Sequence, residues 1–445
     1  TADAVAAVRI APVAPGLFTA NANGAGAPAG FSVRVGIDGQ QSFDNLFERF
    51  PGVSSIYEAK PFDSANGNTY LMLFGTGIRG AEARNVTATI GGVVVPVQAA
   101  AAQGSFAGLD QVNLGPLPIV LANRRGKAEL AIRVEGLEAN KLTVAPTLPA
   151  TGEWGRRADL IEANSEMGVA ELNGKIYVLG GYPSSRVTVT TVQAYDTYSN
   201  AWSIVAPLPV GVNHNMPAAV NGKLYVIGGQ TDAGTAFVNL VQEYDPAGNV
   251  WRVRTPMPAA RGGGAAVVLD GKIYVAGGRP PRGADFAVYD PVLDAWTVLP
   301  EMPSQRNHLI AAALQGKVYV FGGRLEGGFT SQASGAVEIY DPKTNAWTKG
   351  AAMPKARGGI NGVEANGCMH VFGGEFATGV HADHDVYNPV TSTWMSLANM
   401  PVAVHGVTGA VFLDGLIYAA GGGTMQGGSS GSRLHQVYRV NQVCR

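Results

Sequence analysis

Glu166, His214 and His308 share one repeated offset, eight residues before a glycine that recurs as Gly174, Gly222, Gly271, Gly316, Gly367 and Gly415. A carboxyl and two imidazoles at equivalent places can move protons near neutral pH, or fix a ligand by a few placed hydrogen bonds. The remaining copies put Gly263, Gly359 and Val407 there. Nine residues before the glycine stand Ser165, Asn213, Gly262, Asn307, Gly358 and Gly406; ten before stand Asn164, Val212, Arg261, Arg306, Arg357 and His405. Polar side chains alternating with bare backbone suit a bulky polar ligand, such as a peptide loop or a sugar. Arg261, Arg306 and Arg357 read two ways. They are braces between neighbouring repeats, or three guanidiniums facing a carboxylate or sulfate, with which the planar fork pairs bidentately. His214 and His308 read equally as pocket lining or as core groups with satisfied hydrogen bonds, and Glu166 as a solvated carboxylate or an acid–base group.

The elements that must position these residues are repetitive. A double glycine closes a short apolar strand at Gly180, Gly228, Gly277, Gly322, Gly373 and Gly421, with spacings of 48, 49, 45, 51 and 48 residues. Such a period marks one supersecondary unit used repeatedly. Asn-Gly, Asp-Gly or Gln-Gly precedes each of these strands by a few residues, and the first two are type I′ hairpin dipeptides whose positions tolerate positive φ. A third strand carries Tyr195, Tyr244, Tyr289, Tyr340 and Tyr387, and a fourth carries Trp202, Trp251, Trp296, Trp347 and Trp394, always seven residues later. Four antiparallel strands per repeat describe a propeller blade. The sixth copy has Tyr438 but no later tryptophan. Trp154 supplies the missing strand, which predicts a ring closed from the amino-terminal side and free of open sheet edges.

Double glycine, Tyr-Asp and Trp at these offsets resemble kelch repeats over about Trp154 to Arg445, and imply an all-β, six-bladed propeller. By that resemblance the eighth and ninth positions face the ligand at the mouth of the channel, making Ser165, Glu166, Asn213, His214, Asn307 and His308 the candidate pocket. Arg261, Arg306, Arg357 and His405 complete the candidate ligand-binding set. Before Trp154 the period vanishes. Strand-like runs at Phe31–Val35, Tyr70–Phe74, Val86–Ile90, Val93–Val97 and Ala128–Val134, with glycine breaks, predict a small β-sandwich. Ala-Pro-Gly-Leu-Phe-Thr-Ala from Ala14, Leu73-Phe74-Gly75-Thr76-Gly77, Ala88 to Gly92 and Gly108 to Asn113 resemble an immunoglobulin-like, TIG-type module of secreted soil-bacterial proteins. The expected division is residues 1–146, a linker at 147–153 and the propeller at 154–445, with an insert near residues 45–60 left unplaced.

Bulk properties bound the function. The 445 residues carry a net charge of −1, with 46% hydrophobic and 15% charged residues. No basic surface recommends nucleic acid, and no apolar run of bilayer length occurs. Cys368 and Cys444 are either a disulfide pinning the carboxy terminus or two unrelated thiols. The opening Thr1-Ala2-Asp3 suits a processed secretory protein as well as a trimmed one. His381-Ala382-Asp383-His384-Asp385 is the densest group of ligand types and reads as a solvated loop, so no metal and no cofactor is expected. Asn85-Val86-Thr87 fits a glycosylation acceptor, and neither a phosphate cradle nor a nucleophile elbow is present. The expected function is extracellular recognition of a protein or glycan at the propeller mouth, with the sandwich as spacer or docking piece. Two alternatives stand beside it. One is an enzyme resembling the sialic-acid mutarotases, using Glu166, His308 and arginines on an anionic sugar; the other is a self-assembling structural subunit. Copper radical oxidases, which share kelch blades, fit poorly because Cys368 sits on a regular strand.

Overall fold

The computed structural model describes residues 15–20, 22, 27–35, 39–49, 57–64, 69–79, 81–104, 107, 109–118, 121, 128–147, 152–183, 185–197, 201–231, 236–328 and 330–444. Thr1-Ala2-Asp3, Gly108, most of the expected linker and part of the 45–60 insert lie outside them. The chain separates into two compact units, Thr1–Pro149 with Thr197–Asn200, and Ala150–Asp196 with Ala201–Arg445.

Apolar residues at every second position build the first unit. Thr69–Thr76 alternates buried and half-buried residues along its length, the period-2 signature of a strand with one face in a core. It lies between Asp110–Leu114 and Gly30–Val35 in one six-stranded sheet, while Ala128–Val134 lies between Leu142–Thr147 and Val86–Ile90 in another. Leu71, Leu73, Val112 and Leu114 from the first sheet share one buried cluster with Ile90, Leu130, Ile132 and Val144 from the second. The run expected at Val93–Val97 is two strands, Val93–Val95 and Val97–Ala102, because Pro96 lacks the N–H a ladder needs. In the unplaced insert, Phe47–Arg49 pairs with Tyr57–Ala59 as a separate hairpin.

Among its described residues the second unit contains six further sheets whose strands follow the repeat. Each inner hairpin turns on two residues of positive φ: Asn173-Gly174, Asn221-Gly222, Asp270-Gly271, Gln315-Gly316, Asn366-Gly367 and Asp414-Gly415. Tyrosine lies opposite tryptophan in each outer pair, from Tyr195 with Trp202 to Tyr387 with Trp394. Trp154 lies opposite Tyr438 in the same way.

Two sets of hydrogen bonds join successive sheets, and both return from the last sheet to the first. The second glycine of each pair donates its N–H to the carbonyl of Val212, Arg261, Arg306, Arg357, Val404 or Asn164 at 2.8–3.1 Å. The first glycine must be bare. A Cβ on Gly180 would stand 2.2 Å from the Val212 oxygen, and one on Gly373 would stand 2.3 Å from the Val404 oxygen. Each indole N–H reaches the end of the preceding sheet at 2.8–3.0 Å, Trp202 to the Ala158 carbonyl and Trp154 to that of Ala398.

Cys368 and Cys444 are bonded. The strand His384–Asn388 corrects the reading of residues 381–385 as a solvated loop: His384 and Asp385 are buried in it. Asp385 pairs with Arg357 and His384 Nε2 lies 3.0 Å from His370 Nδ1, whereas His381 Nδ1 meets Asp383 Oδ2 at 3.1 Å, so the four do not converge on one point.

Candidate functional site

At one end of the innermost strands, six residues take the left-handed conformation: Glu166, His214, Gly263, His308, Gly359 and Gly406, with φ from 51° to 74°. Each N–H from His214 to Gly406 bonds to the carbonyl of the preceding member at 2.6–3.0 Å. This backbone girdle explains why glycine fills half of the positions. Glu166, His214 and His308 hold the same conformation with side chains attached, a cost of about 1 kcal/mol or more each, and such strain concentrates at functional sites.

The sixth sheet departs from the expected register. Gly406, rather than Val407, occupies the girdle, and His405 takes the place of Asn213 and Asn307. An extra residue is absorbed where the innermost strand breaks between Val407–Thr408 and Val411–Leu413, at Gly409 with φ 101°.

Glu166, His214, His308 and His405 are buried and brought together. Glu166 Oε2 lies 3.1 Å from His214 Nε2, and the two imidazole rings meet edge to face at 4.9 Å. The asparagines set the tautomers. Asn307 Nδ2 donates to the Arg324 and Glu326 carbonyls, so its oxygen accepts from His308 Nδ1 at 2.5 Å. Asn213 Nδ2 donates to Thr188 Oγ1 and the Gln230 carbonyl, and its oxygen accepts from His214 Nδ1. Both Nε2 lone pairs therefore face inward. Ser165 pairs backbone to backbone with Tyr182 and turns its hydroxyl to the same carbonyl.

Arg261, Arg306 and Arg357 are not in this group. Arg306 donates to the Gly322 and Ala336 carbonyls and to Glu338 Oε2 at 2.7 Å; Arg357 pairs with Asp385, and Arg261 lies 3.5 Å from Asp285. Each guanidinium braces its own sheet, tying the entry of the innermost strand to the third strand or the loop before it. The expectation that these arginines face a ligand is corrected, because buried cations stay where carboxylates and carbonyls satisfy them.

Four mouth residues escape the sequence reading: Tyr182, Arg279, Arg324 and Glu375. All follow directly on the double glycine, a position that holds five residue types in six copies (Tyr182, Gln230, Arg279, Arg324, Glu375, Gly423). Variation at a fixed place in a regular repeat was the available signal. Arg279 donates to His214 Nε2 at 3.2 Å and to His308 Nε2 at 3.4 Å, and Arg324 pairs with Glu375 at 3.0 Å. Burial pushes His214 and His308 well below the usual imidazole range, and Arg279 and Arg324 add to the shift. Burial raises Glu166 against the opposing pull of His405. Both effects favour the neutral forms of these groups. The free space among Glu166, His214 and His308 is about 10 Å³, room for about one water.

The cluster also holds the loops above it. Arg279 donates to the Gly327 carbonyl, Asn307 to Glu326, His405 Nε2 to Met425 at 2.7 Å, and the Gly427 N–H bonds to Glu375 Oε2 at 2.8 Å. Exposed apolar side chains stand on four such loops, at Val187, Leu325, Phe376 and Met425.

Residues 165–383 match the profile of the Attractin/LZTR1 beta-propeller family. The fold is a β-propeller with kelch-repeat relatives. Kelch-like protein 36 of Mus musculus is 47% identical over 62 residues, 14% of this chain and 10% of that protein. Kelch-like protein 35 of Mus musculus is 32% identical over 119 residues, 26% of this chain and 21% of that protein. The chain thus spans only about a tenth to a fifth of these relatives' length. Among solved structures, YjhT superimposes with a TM-score of 0.55 over 65% of this chain and 98% of its own, at 18% identity, a likeness of fold alone. No helix among the described residues is long and apolar enough to cross a membrane.

Proposed function

We propose that this chain is an extracellular recognition protein, a six-bladed kelch propeller that binds a protein ligand across the loops at its mouth. The immunoglobulin-like, TIG-type module before it serves as spacer or docking piece. The observation that carries this reading is the pairing of a filled mouth with apolar loops. About 10 Å³ of free space inside the girdle admits no peptide side chain or sugar ring, so a ligand at this end of the innermost strands is met by the surface above. There Val187, Leu325, Phe376 and Met425 expose apolar area at the same end of four sheets, the kind of group that anchors a protein interface. Kelch relatives favour the same reading, and the disulfide suits an oxidising compartment. A glycan is the second ligand class.

Arrays of peptides, secreted proteins and glycans probed with the full chain test the proposal. A ligand whose binding falls at least tenfold in Phe376→Ala and Met425→Glu, with the circular dichroism spectrum unchanged, supports it. The mutarotase-like alternative predicts a different outcome: a sugar whose anomers interconvert faster in the presence of the protein, with that activity lost in Glu166→Gln.

A further inference from the structure

The acceptors beside the imidazole pair outnumber the donors that reach them. His405 Nε2 is committed to the Met425 carbonyl, which leaves Nδ1 to face the carboxyl groups. That atom is buried and has no hydrogen-bond partner. It faces Glu375 Oε2 at 3.6 Å and Glu166 Oε1 at 3.8 Å, too far for hydrogen bonds. Ligand atoms of Glu166, Glu375 and His405 all lie within 4.8 Å of one another. Glycines keep the space clear around them. A Cβ on Gly406 would stand 2.8 Å from Glu166 Oε1, and one on Gly359 would stand 3.4 Å from Glu375 Oε1 and 3.5 Å from His405 Nδ1.

We propose that Glu166, Glu375 and His405 form a binding site for one divalent first-row transition ion. Donors on a tetrahedral ion with bonds of about 2.1 Å are spaced by about 3.4 Å, close to the 3.6 and 3.8 Å from His405 Nδ1 to the two carboxyl groups. One imidazole with two carboxylates suits zinc or manganese in preference to a soft ion. Charge permits it. Metal ligands give up their protons on binding, so Glu166 and Glu375 hold the ion as carboxylates and offset Arg279 and Arg324 while the ion adds +2. Partners behind the ligands are also in place. Met425 orients the imidazole, while Arg324 and the Gly427 N–H hold Glu375, and such supports set ligand geometry. Because His405 and Glu375 both grip the 425–427 segment, the ion would fasten a recognition loop. The site stands on its own geometry and does not depend on the proposed ligand.

The test uses the full chain, stripped with a chelator and titrated with Zn²⁺ by calorimetry. One equivalent binds the wild type, and affinity falls at least tenfold in His405→Gln and Glu375→Gln while His381→Gln is unchanged. Crystals grown with Zn²⁺ give an anomalous peak between Glu166 Oε1, Glu375 Oε2 and His405 Nδ1, a readout that survives even if a variant fails to fold. Absence of saturable binding, undiminished binding in folded His405→Gln, or a peak elsewhere, such as at His381 and Asp383, overturns the proposal.

Discussion

Arg306 shows how one side chain can satisfy a sequence pattern without serving a site. Its guanidinium and Glu338 are both buried, and Ser304 Oγ donates to the second carboxylate oxygen at 2.6 Å. Neutralising the acid leaves a buried cation without its partner. Glu338→Gln is therefore expected to destabilise the propeller by about 3–5 kcal/mol, read from its denaturant midpoint. Histidines away from the mouth set an acid limit. Burial lowers His370 from 6.5 to about 4 and His435 to about 3. Above pH 6.5 both are neutral whether the chain is folded or not, and they contribute no pH dependence. As the pH falls from 6.5 towards 4 the unfolded chain takes up protons that the folded one refuses, so stability drops. Urea midpoints should be lower at pH 5 than at pH 7.5, and His435→Gln should reduce the difference.

The inner hairpin is the element where local preference and fold agree. Five turns begin with Asn or Asp, which tolerate positive φ, while Gln315 adopts φ 51° without that tolerance. Gln315→Asn should stabilise the protein by up to about 1 kcal/mol in thermal unfolding. These turns, the tyrosine–tryptophan register and the strand bearing Trp154 were legible because each depends on contacts at fixed sequence offsets. The mouth was half legible. Glu166, His214, His308 and His405 were visible as breaks in the repeat, but Arg279, Arg324 and Glu375 lie beyond a second strand and are brought in by the backbone pairing of Gly262 with Arg279, Asn307 with Arg324 and Gly358 with Glu375. The one-residue slip at Gly409 was hidden because turn glycines still align when a strand bulges. Arg261, Arg306 and Arg357 misled because a cation at a repeated offset carries no sign of the acid that neutralises it.

Across the whole molecule, the fifth sheet departs from the repeat in a coordinated way. Four sheets pair the lysine after the turn with the aspartate beside tyrosine, from Lys175 with Asp196 to Lys317 with Asp341. The fifth sheet has Cys368 and Asn388 at these positions, and a covalent bond to Cys444 replaces the ion pair. The exposed pairs contribute little, whereas a cross-link spanning 76 residues restricts the unfolded chain. Cys444→Ser should cost about 4 kcal/mol, measured as a lower melting temperature that the reduced wild type reproduces.

The latch formed by Trp154 also has a temporal meaning. A ribosome delivers this indole 244 residues ahead of the Ala398 carbonyl it must find, and the strand bearing Tyr438 later still. Until then the nascent chain is an arc with two raw ends, exposed to chaperones and to neighbouring copies. A chain cut short within the sixth repeat would leave the strand bearing Trp154 without its partner.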